Sequence, residues 1–252
     1  MINSKTKKTV DIYNKKITVI GLGLSGMGAA KLANFLGAKV FASDKSKKDN
    51  VLYNSMELMT VHHIANETGL HSDRIYDADL WIVSPGISKN EDIIRKAENL
   101  KIPIIGEIEF SSWFTHSKII AITGSNGKTT TASILYKMCK YGNRIPVLAG
   151  NIGIPFSERV ENEIKNPNTD NALIYILECS SFQMEFINDF KPDLAIYTNI
   201  TEDHLDRHGT MKEYVKMKMQ LSKNMNNNDL IIYNADEITP GIIVCLYKLR
   251  KR

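Results

Sequence analysis

The sequence predicts an α/β protein whose strands form parallel sheets in two successive domains. Short apolar runs alternate with stretches of helical periodicity along most of the 252 residues. Several runs empty into glycine-rich or polar segments, at Gly21, Ser84, Gly124, Glu178 and Thr198. Those are the carboxyl ends of the strands, where open parallel sheets bind their ligands. With 43% apolar residues the chain can build two cores.

The elements follow in order. Ile17–Ile20 is the first strand, Gly26–Leu36 a helix stopped by Gly37, and Lys39–Ser43 the second strand. Asp79–Val83 is a strand closed by the turn Ser84-Pro85-Gly86, Glu91–Asn99 a helix, and Ile102–Ile105 a short strand. The polar, aromatic stretch Glu107–His116 is read as a connection, which puts a boundary near Ser117 and two domains at 1–117 and 118–252. The isoleucine-rich run from Lys118 is a buried strand, followed by a helix from about Thr130 to Tyr141. Ala172–Leu177 and Asp193–Thr198 are further strands, and no internal repeat interrupts the alternation.

The net charge of +4 is concentrated in Lys5–Lys8, Lys45–Lys48 and Lys248–Arg252, as expected of solvated ends and loops rather than a nucleic-acid surface. Cys139, Cys179 and Cys245 are widely spaced, so neither a zinc site nor a disulfide framework is expected. The lysine-rich N-terminus has no apolar core, and no apolar run reaches about 18 residues. The expectation is a soluble, cytoplasmic protein without membrane insertion.

The most specific segment is KIIAITGSNGKTTT, Lys118–Thr131. A loop of Gly124, Ser125, Asn126 and Gly127 between a strand and a helix turns backbone N–H groups and a helix N-terminus towards one point, which suits a phosphate. Lys128 would reach the β/γ-phosphates and the Thr129 hydroxyl would meet Mg²⁺, with Thr130 in the same first turn. The strict phosphate-loop pattern wants a glycine where this chain has Ile122, so only its GxxGKT core is present. The second domain is accordingly expected to be a P-loop-type parallel-sheet domain that binds nucleotide phosphates.

In the first domain, VIGLGLSGMG places Gly21, Gly23 and Gly26 in a GxGxxG turn, and Asp44 ends the second strand where a ribose-binding carboxylate belongs. This is a Rossmann-like fingerprint. NAD is its default ligand, yet nothing downstream resembles a dehydrogenase site, so a nucleotide or nucleotide-sugar is equally compatible. Further along, Asn151 lies in the turn Gly150–Gly153, and Glu178 at a strand end is the expected place for an Mg²⁺ ligand. Asp203, His204, Asp206 and His208 crowd together after another strand. Thr210–Glu213 is a capping box, and on the helix it opens Met211, Tyr214, Leu221 and Met225 share one apolar stripe with Lys218. A buried lysine loses its proton readily and can take up CO₂ as a carbamate ligand for a metal; a lysine snorkelling from the helix edge fits the same spacing.

Taken together, GLGLSG, SPGIS, GSNGKTT, GNIG, ECSSFQME and TNITEDHLDRHG, in this order from Ile17 to Asp236, resemble the Mur ligase family. GLGLSG and Asn126 point within it to the type that joins D-glutamate to UDP-N-acetylmuramoyl-L-alanine. The resemblance implies that the first domain binds the UDP precursor, not NAD, through Leu24, Ser25, Asp44 and Gly86, with Asn151 contacting the precursor from the second domain. It implies ATP and two Mg²⁺ ions, which makes the second domain a P-loop-type parallel-sheet ATPase domain. Gly124–Thr130 would cradle the ATP phosphates, and Thr129 with Glu178 would hold the first metal. His204 and a carbamylated Lys218 would serve the second metal. Lys128, Glu178, His204 and Lys218 would be the catalytic set.

The resemblance breaks from Ile238 to Arg252. Family members continue through the rest of the ATPase domain and a third, amino-acid-binding domain. The expectation is therefore an incomplete second domain without that third one, inactive by itself, with a complementing C-terminal polypeptide an open question. A nucleotide-sugar-binding or regulatory protein without catalysis is the alternative, and an NAD-dependent oxidoreductase a weaker one.

Overall fold

The computed structural model describes residues 10–167 and 172–236. The lysine-rich ends, Cys245 and the divergent stretch from Ile238 lie outside the described residues. The first unit runs β1 (Lys16–Ile20), α1 (Leu24–Phe35), β2 (Lys39–Asp44), α2 (Asp49–Thr60), β3 (Ala65–Thr68), β4 (Leu80–Val83), α3 (Asp92–Asn99) and β5 (Ile104–Gly106). Its five parallel strands lie in the order β3-β2-β1-β4-β5. After α4 (Glu107–Ser112) come β6 (Lys118–Thr123), α5 (Lys128–Tyr141), β7 (Ile145–Gly150), α6 (Phe156–Lys165), β8 (Leu173–Glu178) and β9 (Leu194–Tyr197). Then follow α7 (Leu205–His208), α8 (Met211–Met219) and β10 (Leu230–Tyr233), giving a second parallel sheet ordered β10-β9-β6-β8-β7.

Each sheet has one strand at which the chain reverses its direction of winding. From β1 it goes outward through β2 and β3, then returns to the other side for β4 and β5. From β6 it reaches β7 and β8 on one side, then β9 and β10 on the other. The crevice at such a switch point is the natural ligand site of an open α/β sheet. In the first sheet Gly21-Leu22-Gly23 faces the Ser84–Gly86 turn there; in the second, Gly124–Gly127 faces Thr198 onwards.

The strands read from sequence are present to within two residues at each end. The elements read from sequence do not include α2, β3, β7, α6, α7 and β10, although β7 and β10 are apolar runs of strand length. β3, Ala-Asn-Glu-Thr, is an edge strand with no apolar run, and α6 buries Phe156 and Val160 at the i, i+4 spacing while the rest is mostly charged. Glu107–His116 is not merely a connection, because Glu107–Ser112 is a helix whose every residue is buried.

That helix explains how the two sheets join. Glu107 Oε1 accepts from the Ser157 N–H at 2.6 Å, in the first turn of α6, whose N-cap Pro155 offers no capping side chain. Glu109 accepts from the backbone N–H groups of Asn188, Asp189 and Phe190 at 2.7–3.0 Å and from the Trp113 indole at 2.9 Å. α1 packs directly on α6, where a Cβ on Gly28 would lie 2.5 Å from Ser157 Oγ. One hydrophobic cluster runs through both units, from Val19 and Leu32 through Phe110 and Phe156 to Leu177 and Tyr214.

Candidate active site

The phosphate loop leaves β6 at Thr123 and enters α5 at Lys128. Ile122, at the position where the strict pattern has glycine, is a fully buried strand residue. The glycine the loop needs is Gly124: a Cβ there would fall 1.9 Å from Thr198 Oγ1. Gly127, with φ of 79°, takes the left-handed conformation that turns the chain into the helix. The neighbouring strand end braces the loop. Ser125 N and Asn126 N donate to the carbonyl and side-chain oxygen of Asn199 at 3.0 and 2.9 Å, and Thr198 Oγ1 donates to Asn126 O at 2.6 Å. Lys128 folds back over the loop onto the carbonyls of Gly124 and Ser125 at 2.8 and 2.9 Å, and Thr129 and Thr130 are exposed in the first turn.

Glu178, 2% exposed, ends β8 beside this loop. Its Oε2 accepts from the Thr129 hydroxyl at 2.7 Å and its Oε1 from the Asn151 amide at 2.9 Å. Asn151 is placed by Gly150, where φ is 100° and a Cβ would lie 2.3 Å from the Glu178 carbonyl. Both side-chain partners of Glu178 are neutral. Mg²⁺ fits this donor set, because it takes one or two carboxylates and a hydroxyl while keeping waters and substrate phosphates in its shell. Among the described residues no group of three or more His, Cys, Asp or Glu side chains forms an all-protein metal cage.

Lys218 on α8 is buried, with 2% exposure. Its ammonium donates to Gly124 O at 2.8 Å and lies 4.5 Å from the centre of the Tyr214 ring. Burial, reinforced by the nearby Lys128 charge, pulls its pKa from the usual lysine value down to about 7. The buried reading of this lysine therefore holds, and the snorkelling one does not. The single helical stripe expected around it is cut short: α8 ends at Met219, so Leu221 lies in the following 3-10 turn and Met225 beyond it, both buried. Tyr214 is buried on the helix, and Met211 packs only partly. Thr210 caps α8 by accepting from Glu213 N at 3.2 Å, but the Glu213 carboxylate pairs with Lys216, so the capping box is half made.

In the first sheet, Ser84 Oγ donates to Gly21 O at 2.9 Å, and Gly26 packs so closely that a Cβ would sit 1.8 Å from Gly21 O. Asp44 spends both oxygens locally, accepting from Leu22 N at 2.7 Å and Ser46 N at 2.8 Å. It shapes the glycine loop. Leu24 is 69% exposed, and a Cβ on Gly86 would meet nothing within 4 Å, so the mouth of the crevice is open. Ser25 is half-buried beside them.

The segment after β9 carries His204, which adopts φ of 51° and opens α7. Its ring lies 5.0 Å from Phe182 and 3.4 Å from the Asp203 carboxylate. Phe182 stacks on His208 at 5.4 Å, and His208 bonds Ser181 Oγ through Nε2 at 2.9 Å. Direct bonds thus gather Thr129, Glu178 and Asn151, and Gly124 joins Lys128 to Lys218; the contacts of His204 run to Phe182 and Asp203.

Comparison with known families matches residues 15–106 to the Mur ligase MurD-like N-terminal domain and residues 122–243 to the Mur ligase middle domain. This chain belongs to the Mur ligase family. Two curated relatives are the UDP-N-acetylmuramoylalanine–D-glutamate ligases of Chloroherpeton thalassium and Koribacter versatilis. The first is 40% identical over 231 residues, covering 90% of this chain and 48% of that protein. The second is 40% identical over 228 residues, covering 90% and 49%. The chain spans about half the length of the curated relatives it matches. A solved murein peptide ligase from Psychrobacter arcticus shares the fold, with a TM-score of 0.54 at 18% identity, over 93% of this chain and 51% of its own.

Within this Mur ligase chain, sequence reasoning overlooked the residues that brace the site. Asn199 holds the phosphate loop beside Thr198, which the sequence marks as a polar strand end; that this strand pairs directly with β6 is seen only in the fold. Arg207 and Glu185 had no signal, because their partners lie 120 and 22 positions away in sequence.

Proposed function

We propose that this chain carries the precursor- and nucleotide-binding parts of a cytoplasmic, ATP-dependent ligase that adds D-glutamate to UDP-N-acetylmuramoyl-L-alanine in peptidoglycan precursor synthesis. The observation that carries the reading is Glu178, held between Thr129 and Asn151 at the mouth of the phosphate loop. The identity to the two named ligases supports the choice of amino acid and precursor.

The chemistry is stepwise. A carboxylate oxygen of the alanyl precursor takes the terminal phosphoryl group of ATP, the bridging P–O bond breaks, and ADP leaves with an acyl phosphate formed. The D-glutamate amine then attacks the acyl carbon, the C–O bond to phosphate breaks, and the amine gives up its proton. Gly124–Thr130 hold the phosphates at the α5 N-terminus, and Lys128 leaves its loop carbonyls to meet their charge. Thr129 and Glu178 would hold one Mg²⁺; His204 and Lys218, once carbamylated, would serve a second. Bound there, the ions neutralise charge on the transferring phosphoryl group. Leu24, Ser25, Asp44, Gly86 and Asn151 would receive the precursor, Asp44 while also accepting from the glycine-loop amide of Leu22. Lys218, neutral above about pH 7, is in the form that reacts with CO₂.

The ligation belongs to the whole enzyme, and the relatives are about twice as long as this chain. For residues 1–252 alone we expect binding without turnover. Calorimetry with Mg-ATP and with UDP-N-acetylmuramoyl-L-alanine tests the reading: both should bind. Loss of both would refute it, and D-glutamate-dependent phosphate release by the purified chain would refute its last part.

A further inference from the structure

On the ligand side of the molecule a second link joins the two sheets, made by one guanidinium. Arg207 Nη1 donates to Gly86 O at 3.3 Å, and its Nη2 donates to Ile87 O and to Glu185 Oε2, each at 3.0 Å. The second oxygen of Glu185 accepts from the Lys89 backbone N–H at 3.1 Å. The pair therefore grips the segment from Gly86 to Lys89 from both sides. It is sheltered, with side-chain exposures of 24% and 10%, so solvent screens it less than a surface pair. The guanidinium also lies over the Phe182 ring at 5.2 Å, the ring against which His204 and His208 pack.

Geometry sets the residue type. Two carbonyls and a carboxylate converge on one planar fork, which a lysine ammonium at the end of a flexible stem matches poorly. The gripped turn is also tied to its own sheet through Ser84, which bonds Gly21 at the glycine loop. Arg207 stands three residues after His204. Arg207 and Glu185 thus tie the turn beside the first crevice to the segments that follow β8 and β9.

We propose that Arg207, held by Glu185, is a positioning residue that sets the Gly86–Lys89 turn to receive the UDP precursor and couples that turn to the His204 segment. This rests on the reading above that Gly86 lies in the precursor site. The arginine touches no reacting atom; it acts through the turn.

The test compares the wild-type chain with Arg207→Ala, Arg207→Lys and Glu185→Gln. Calorimetry measures UDP-N-acetylmuramoyl-L-alanine and Mg-ATP separately, and hydrogen exchange follows the 86–89 amides. Arg207→Ala should weaken the precursor about tenfold or more, the effect of losing charge-assisted bonds, with Mg-ATP affinity within about twofold of wild type on the same reasoning. Exchange at 86–89 should quicken in parallel while that of Gly124–Gly127 stays constant. Arg207→Lys should fall between alanine and wild type, and Glu185→Gln should resemble it. A folded Arg207→Ala that keeps precursor affinity, or loses both ligands equally, would overturn the proposal. Unchanged exchange at 86–89 would overturn the mechanical link whether or not precursor binds. A wild-type chain that binds Mg-ATP but no precursor would instead refute the precursor-site reading, and the turn's ligand with it.

Discussion

Lys128 and Lys218 donate to the same acceptor: each ammonium lies 2.8 Å from the carbonyl oxygen of Gly124. Two lysine amino groups share one oxygen, and only Lys128 has a second loop carbonyl, that of Ser125. Lys128 is also the less buried of the two, so an arriving phosphate draws it away first. Lys128→Ala should lower Mg-ATP affinity by roughly 10–100-fold, the range for a charge-assisted bond. Calorimetry checks this, and an unchanged affinity would remove Lys128 from the phosphate site.

Glu178→Gln keeps an acceptor for the Thr129 hydroxyl but removes the charge. The variant should fold normally, and its ATP affinity in Mg²⁺ should drop to the value seen in EDTA. Wild type should show a clear difference between the two conditions. Titrations in both buffers decide it: a variant that still responds to Mg²⁺ as wild type does would place the metal elsewhere.

Glu109 is fully buried and satisfies three backbone N–H groups of the segment between β8 and β9, together with the Trp113 indole. Glu109→Ala would leave those donors without acceptors in a dry interface, at a cost on the order of 3 kcal/mol or more. Urea denaturation should show a markedly lower midpoint, with Glu109→Gln recovering part of the loss. Equal midpoints for alanine and wild type would mean that water replaces the carboxylate.

Glu107 has one oxygen on Ser157 N, while the other is buried without a partner. Burial raises its pKa above the usual glutamate value, against the lowering effect of its bonds to Ser157 and Ser111. The unfolded chain releases this proton first as pH rises, so the stability Glu107 contributes is fully present below about pH 4.5. It is lost as pH climbs through the raised folded-state value. Glu107→Gln, neutral throughout, should gain stability relative to wild type as pH rises above about 4.5 and towards the raised folded-state value. Parallel stability–pH curves for the two proteins would show that Glu107 ionises in the fold as it does in water.

The sequence by itself determined the parallel α/β class, the two glycine turns at strand ends and the polar residues that follow β8 and β9. Each is a local signal: an apolar run of strand length, a glycine where a side chain would collide, a lysine and threonine at a helix start. It also marked Lys218, since helical spacing alone placed that cation on an apolar stripe. Only the tertiary structure decided what those groups touch. Glu107 and Glu109 looked like the polar face of a connection and are instead buried caps for α6 and the Asn188–Phe190 turn. Asp44 ends a strand, and only the fold shows that its oxygens accept from Leu22 N and Ser46 N. Arg207 looked like one charge in a polar loop and reaches a turn 120 positions earlier. The reason is physical. A strand or a glycine turn is selected by its immediate neighbours, whereas a charged side chain is satisfied by whichever donors or acceptors the packed sheets bring to it, and nothing in local sequence encodes their identity.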